Sequence, residues 1–314
     1  MTVTGASIPT RTDDSGRARQ PDHSGFATAH DGVRLAYDRY GHGEPTLLFL
    51  PSAPIVHSRQ WKGQVPYFSR RYRVITYDGR GNGLSDRPTT PEAYHDDRMT
   101  SDVATVMDAT RTERAVLVGL CVDGVWRAIR LAAEQPERVL GIVAFGVGVP
   151  RLTPPHDHYR AAAATFDQEL PAYEGWAKYN RHHWMQDYPD FVRFFFTEIT
   201  SEPHSTKAID DAARWAVDGS VDAMVSESSA DFPLDIEGVE AVCRTVRCPM
   251  LLIHGTEDTC QRPERAKRLA ELTGAPLVLV EGADHMIPGR HPVLANVLIR
   301  DFVRSLPESP MHGD

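Results

Sequence analysis

The 314-residue chain has only four cysteines, no long apolar run and no excess of positive charge. Each shortage excludes something. The four cysteines (Cys121, Cys243, Cys248, Cys260) make neither paired CxxC motifs nor a Cys/His set, so they read as reduced thiols rather than a disulfide framework or zinc finger. A spanning helix needs about twenty consecutive apolar residues, and residues 1–24 are polar without an apolar centre. Neither a membrane span nor a secretory leader is therefore expected, and the expected location is the cytoplasm. With 34 Lys and Arg against 43 Asp and Glu, and a net charge of −9, a nucleic-acid partner is not expected either. His156–Asp157–His158 and His182–His183 lack an HExxH helix or a supporting carboxylate cluster. Neither a metal nor a cofactor is expected.

What is present is an ordinary globular balance, 41% apolar and 25% charged. Short apolar runs at 46–50, 72–77, 115–118, 139–145, 250–253 and 276–280 read as strands. Between them, helical periodicity is clearest at 101–109, 125–137, 262–273 and 292–305. Such alternation predicts an α/β fold, a mostly parallel twisted sheet with helices on both faces. Two short strands around His30–Asp31–Gly32 form an entry hairpin. Residues 150–233 carry no apolar strand run but hold 13 of the 26 Trp, Tyr and Phe residues, which reads as a helical insertion. The expected organisation is a disordered tail over 1–24, a core over 25–149 and 234–314, and the insertion over 150–233.

The strand at 115–118 runs into Gly119–Leu120–Cys121–Val122–Asp123–Gly124 and then a helix. Strand, tight glycine-flanked turn and helix, with a nucleophile at the apex, is the layout of a nucleophile elbow, here with cysteine in place of serine. Asp123 stands where a small residue is usual, so its side chain points away from the strand or into the pocket. Gly79-x-Gly81-x-Gly83 does not open a helix, because residues 84–88 break into a loop, and nucleotide binding is not expected.

In these motifs the chain resembles the α/β-hydrolase superfamily, over residues 26–305. Residues 47–54 lie where that family has its oxyanion loop, and residues 77–88 look like its D-x-R-G-x-G-x-S turn. His254–Gly255–Thr256–Glu257–Asp258 is similar to the motif presenting the acid, and Gly282–Ala283–Asp284–His285 to the histidine loop. The resemblance implies a triad of Cys121, His285 and Asp258 in the chain order that this fold requires. It also implies oxyanion donors in the backbone N–H groups of Val122 and Ala53, since Pro51 and Pro54 have none. A helical cap after the sixth core strand would cover Cys121, and Trp176, Tyr179, Trp184 and Asp123 are candidate substrate contacts.

A helix N-terminus and a neighbouring histidine are expected to lower the Cys121 pKa and so raise its thiolate fraction. An acyl-thioester on Cys121 reacts more readily with amines, thiols or internal nucleophiles, relative to water, than an ester does. The main expectation is thus acyl transfer from a small-molecule or carrier-bound acyl donor. A plain esterase, thioesterase or lactonase with a cysteine nucleophile is the alternative, and a non-catalytic ligand-binding protein on the same scaffold is the alternative of another class.

Overall fold

The structure is a computed structural model that describes residues 19–307. Eight strands form one sheet in the order β1-β2-β4-β3-β5-β6-β7-β8. They are β1 (His23–Thr28), β2 (Arg34–Tyr40), β3 (Thr46–Phe49), β4 (Val74–Tyr77), β5 (Ala115–Leu120), β6 (Val139–Val147), β7 (Met250–Gly255) and β8 (Leu277–Val280). The first two pair antiparallel as a hairpin, β2 runs antiparallel to β4, and every later pairing is parallel. The central strands β3, β4, β5 and β7 are buried at every residue, which is why they read as unbroken apolar runs rather than alternating ones.

The helices are α1 (Val65–Phe68), α2 (Asp96–Ala109), α3 (Cys121–Glu134), α4 (Asp157–Ala164), α5 (Arg181–Ile199), α6 (Thr206–Val217), α7 (Val221–Ser228), α8 (Ile236–Thr245), α9 (Pro263–Thr273), α10 (Ile287–Arg290) and α11 (Pro292–Ser305). The third begins at Cys121 itself, four residues before the sequence periodicity becomes clear, and Pro136 stops it short of 137. Its Val125, Trp126, Ala128, Ile129 and Leu131 are fully buried. Each such aliphatic side chain stabilises the fold by about 1.5–3 kcal/mol, so the helix is fixed tightly behind the turn that it opens. Between β6 and β7 the described chain holds helices α4–α8 and no strand.

Residues 19–24, expected to belong to a tail over 1–24, are held against the core. Arg19 bonds to Ser69 Oγ (2.8 Å) and pairs with Asp22 (2.9 Å), and residues from His23 onward are paired with β2. Polar residues lying along a sheet edge give no apolar signal. Residues 1–18 lie outside the described residues. Among the described residues, no helix is long and apolar enough to cross a membrane.

The D-x-R-G turn after β4 has a structural task. Arg80, 1% exposed, donates to both carboxylate oxygens of Asp102 (2.7 and 2.6 Å), to Asp31 (2.8 Å) and to the Ala93 carbonyl (2.6 Å). One guanidinium thereby joins the hairpin turn, the loop before α2 and α2 itself.

Candidate active site

At the end of β5 the chain turns so sharply that Cys121 takes φ of 61°, the left-handed region that costs a non-glycine residue about 1–2 kcal/mol. Gly119 and Gly124 make the turn possible. A Cβ on Gly124 would lie 2.9 Å from Gly119 Cα, and one on Gly119 would meet the Gly124 carbonyl carbon closer still. Strand and helix pass with no room for a side chain between them. Beside the elbow, the loop after β3 is pinned from three directions. Leu50 N–H donates to Val118 O (2.9 Å), Trp61 Nε1 to Leu50 O (2.9 Å) and Asp123 N–H to Ser52 O (3.1 Å). These bonds hold Ala53 against the start of α3, where Val122 lies.

The loop after β7 wraps around Asp258. Its Oδ1 accepts the N–H groups of Cys260 (2.8 Å) and Gln261 (2.7 Å), and its Oδ2 accepts His285 Nδ1–H (2.8 Å). Burial pushes this carboxyl up, but His285, His254 and the backbone donors outweigh it and hold the carboxyl below its usual range. His285 balances opposing effects too. Burial alone would lower its pKa, and the charges of Asp258, Cys260 and Cys121 carry it well above the ordinary value. With Nδ1 committed to Asp258, Nε2 is the nitrogen left for the sulfurs.

Two sulfurs are present, not one. The donor atoms of Cys121, Cys260 and His285 all lie within 4.8 Å of one another, and all three residues are buried. Gln261 Nε2 sits 3.6 Å from each sulfur, and Tyr159 Oη donates to Cys260 Sγ at 3.6 Å. The thiols share one ionisation. A hydrogen bond from Cys121, with His285 nearby, lowers Cys260 well below an ordinary thiol despite burial. The same bond, with burial and the Cys260 charge, raises Cys121 well above one. The expectation of a depressed pKa on Cys121 alone is therefore corrected: the low pKa belongs to the Cys121–Cys260 pair beside His285 and not to either sulfur by itself. Cys260, read from the sequence only as one of four reduced thiols, stands against the elbow cysteine.

A family model described as "alpha/beta hydrolase fold" matches residues 45–292. The chain belongs to the α/β-hydrolase family. A non-heme chloroperoxidase of Streptomyces lividans is 27% identical over 303 residues, covering 90% of this chain and 100% of its own. A 3-oxoadipate enol-lactonase of Acinetobacter baylyi is 32% identical over 124 residues, 38% of this chain and 45% of the relative. The crystal structure of a bromoperoxidase from Bacillus anthracis superposes with a TM-score of 0.74 at 22% identity, over 90% of this chain and 100% of that one.

In this α/β-hydrolase the helical segment after β6 grips both loops of the site. His156 Nε2 bonds to Asp258 O (3.0 Å) and His158 Nε2 to Thr259 O (3.1 Å). Their rings stack at 5.1 Å, and Trp176 stacks on His158 at 4.0 Å. On the histidine side, Glu202 accepts from Asp284 N–H (3.1 Å) and His291 Nε2 (2.9 Å), and its own N–H donates to Asp284 (3.3 Å). Neither clasp leaves a spacing signal, because the partners lie about a hundred and about eighty residues apart.

The candidate substrate contacts divide. Trp176 and Tyr179 are half-buried, and Tyr179 lies close enough to Cys121 and Cys260 to feel their charges. Asp123 is buried beside a cavity shared with Pro51, Ala53 and Pro54, and burial raises its pKa although Arg127 lies 3.4 Å away. Glu227 of α7, absent from the sequence reading, senses Asp123, and burial holds it well above the carboxylate range. Trp184 does not fit its expected role. It has no exposed surface and packs against Phe191 (4.7 Å), Phe166 (5.0 Å) and Tyr179 (5.0 Å). His182 and His183 also turn away, bonding to Asp167 O (3.1 Å) and Asp190 (2.9 Å).

Trp184→Ala is accordingly expected to destabilise the protein by about 3–5 kcal/mol and to lower kcat/KM for every acyl donor alike. Tyr179→Ala should instead change the ranking of donors. Melting curves and relative kcat/KM across short and long acyl esters would separate the two. A ranking altered by Trp184→Ala without loss of stability would restore that tryptophan as a substrate contact.

Proposed function

We propose that the chain is a thiol-dependent hydrolase of a small carboxylic ester or lactone, acting through an acyl-thioester on Cys121. The observation that carries the reading is the 2.8 Å bond from His285 to Asp258, with the strained elbow cysteine within 4.8 Å of that imidazole. His285 and Asp258 form a base and its orienting acid, and Cys121 supplies the nucleophile.

The Cys121 sulfur attacks the ester carbonyl as the thiolate of the pair, with the shared proton on Cys260 and the other held by the His285 imidazolium. A C–S bond forms, the carbonyl electron pair moves to oxygen, and the N–H groups of Val122 and Ala53 receive the oxyanion, each worth about 3 kcal/mol. Collapse breaks the C–O bond, and the departing alkoxide takes the proton of the His285 imidazolium. In the second half His285 removes a proton from water, hydroxide adds to the thioester, and the carboxylic acid leaves as Cys121 regains its thiolate. Residues 150–233 act as a cap over this chemistry, with Trp176 and Tyr179 lining the acyl pocket.

The relatives include a lactonase, an esterase and epoxide hydrolases. They favour water as the acceptor, so hydrolysis replaces transfer as the main reading. The test follows an activated aryl ester and a lactone by intact mass and by product partition against rising amine and thiol. A single acyl adduct on the Cys121 peptide, with free acid as the main product throughout, is the expected result. Product that grows in proportion to acceptor would return the assignment to transfer. A chain that binds ligand but forms neither adduct nor acid would be a non-catalytic receptor.

A further inference from the structure

The second sulfur makes this site something besides a hydrolase centre. We infer that Cys121, Cys260 and His285 form a binding site for a thiophilic divalent cation of the zinc class.

The donor set is two thiols and one imidazole, a combination that suits zinc, with solvent completing the fourth position. Around a tetrahedral zinc, paired sulfurs stand about 3.8 Å apart and sulfur and nitrogen about 3.5 Å. The three donors here already lie within 4.8 Å of one another. Closing on an ion thus takes side-chain adjustment of roughly an ångström, not movement of the backbone.

The surroundings of the donors fit the same purpose. His285 gives its Nδ1–H to Asp258 at 2.8 Å, which aims Nε2 and matches the carboxylate–histidine pair that orients zinc-bound imidazoles. Gln261 presents its amide nitrogen to both sulfurs at 3.6 Å, and Tyr159 its hydroxyl to Cys260 at 3.6 Å, so N–H and O–H donors already face sulfurs that would carry charge. The Gln261 side chain is itself held by Arg265. The loop bearing Cys260 is fastened by His156 and His158 through the carbonyls of Asp258 and Thr259.

Binding would form two Zn–S bonds and one Zn–N bond, and any protons still on the thiols would pass to solvent. The ion would occupy the Cys121 sulfur and the His285 nitrogen together. It would therefore block acylation until a chelator removed it. That consequence rests on the thiol-hydrolase reading, whereas the binding itself does not.

The full-length, reduced protein is titrated with zinc against a chromophoric chelator, and with cobalt(II) as a spectroscopic substitute. The expected result is one zinc per chain with Kd below about 1 μM, and a thiolate-to-cobalt charge-transfer band in the near ultraviolet. Cys260→Ser and Cys121→Ser should each weaken zinc binding by at least about 100-fold and remove most of that band, with unchanged circular dichroism. Cys243→Ser should bind as the parent does, since Cys243 lies in α8 away from the cluster. Stoichiometric zinc should also slow alkylation of Cys121, a readout that needs no substrate. Zinc weaker than about 1 μM, or equally tight binding to Cys260→Ser, or a cobalt complex without thiolate bands, would overturn the site. Failure of acyl-enzyme formation with zinc binding intact would instead overturn the hydrolase reading and leave the metal site standing.

Discussion

Cys121→Ala is expected to lower kcat/KM for ester substrates by at least about 10³-fold, equivalent to about 4 kcal/mol of transition-state stabilisation, and to abolish the covalent adduct. The large effect follows from the division of labour. On the proposed mechanism His285, Asp258 and the oxyanion donors remain in the variant but act on a nucleophile that is gone, and such residues do not contribute additively. Cys260 does not substitute, because it hangs from the loop after β7 and not from the N-terminus of α3, where Val122 N–H can receive an oxyanion. Alanine meets the same left-handed backbone cost at position 121 as cysteine, so the melting temperature should move little. Steady-state kinetics and intact mass on one preparation decide the matter. A variant that keeps more than about a tenth of the parental kcat/KM would mean that His285 activates water directly and that no acyl-enzyme is needed.

The largest effect on stability is expected at Arg80→Met, about 3–5 kcal/mol, or a fall in melting temperature of roughly 6–15 °C. Methionine fills much of the volume but leaves Asp102 and Asp31 facing each other without the guanidinium. Asp102 already has its carboxyl pushed up by burial, with Arg80 as the main opposing influence. Removing one partner of a buried set strands the others, which costs far more than removing both. Arg80→Met combined with Asp102→Leu should therefore recover part of the loss. Differential scanning calorimetry on the three proteins is the check. A single variant melting within about 2 °C of the parent would show that the cluster is solvated.

The parts of the molecule that could be read without a structure were those encoded locally. Buried parallel strands leave continuous apolar runs, and the elbow at 119–124 needs its two glycines for steric reasons that are visible in six residues. The pairing of Asp258 with His285 was legible because each follows a strand end in a short motif. Cys260 and Gln261 were not, although they sit two and three residues from Asp258. Nothing in their spacing says that a loop held by two backbone bonds to one carboxylate turns a second thiol toward residue 121. Trp184 was misread for the opposite reason: a dense run of aromatic residues does not say which ring faces a cavity and which fills the space behind it. The expected tail over 1–24 failed at its inner end because sheet-edge residues such as His23 and Ser24 are fixed by backbone pairing, to which hydropathy is blind.

The hold of His156, His158 and Glu202 on the loops of Asp258 and His285 bears on how such proteins could be recombined. A helical insertion resting on a finished core would be a module, exchangeable with that of a relative to alter what the enzyme accepts. Here the insertion supplies three of the props that keep the acid and histidine loops in place. A chimera carrying a foreign segment between β6 and β7 would lose them together, so grafted specificity would come with a misplaced acid. Successful exchanges would have to carry the residues at 156, 158 and 202 with their partner loops, and lineages in which this segment diverges should change both sides of each clasp at once.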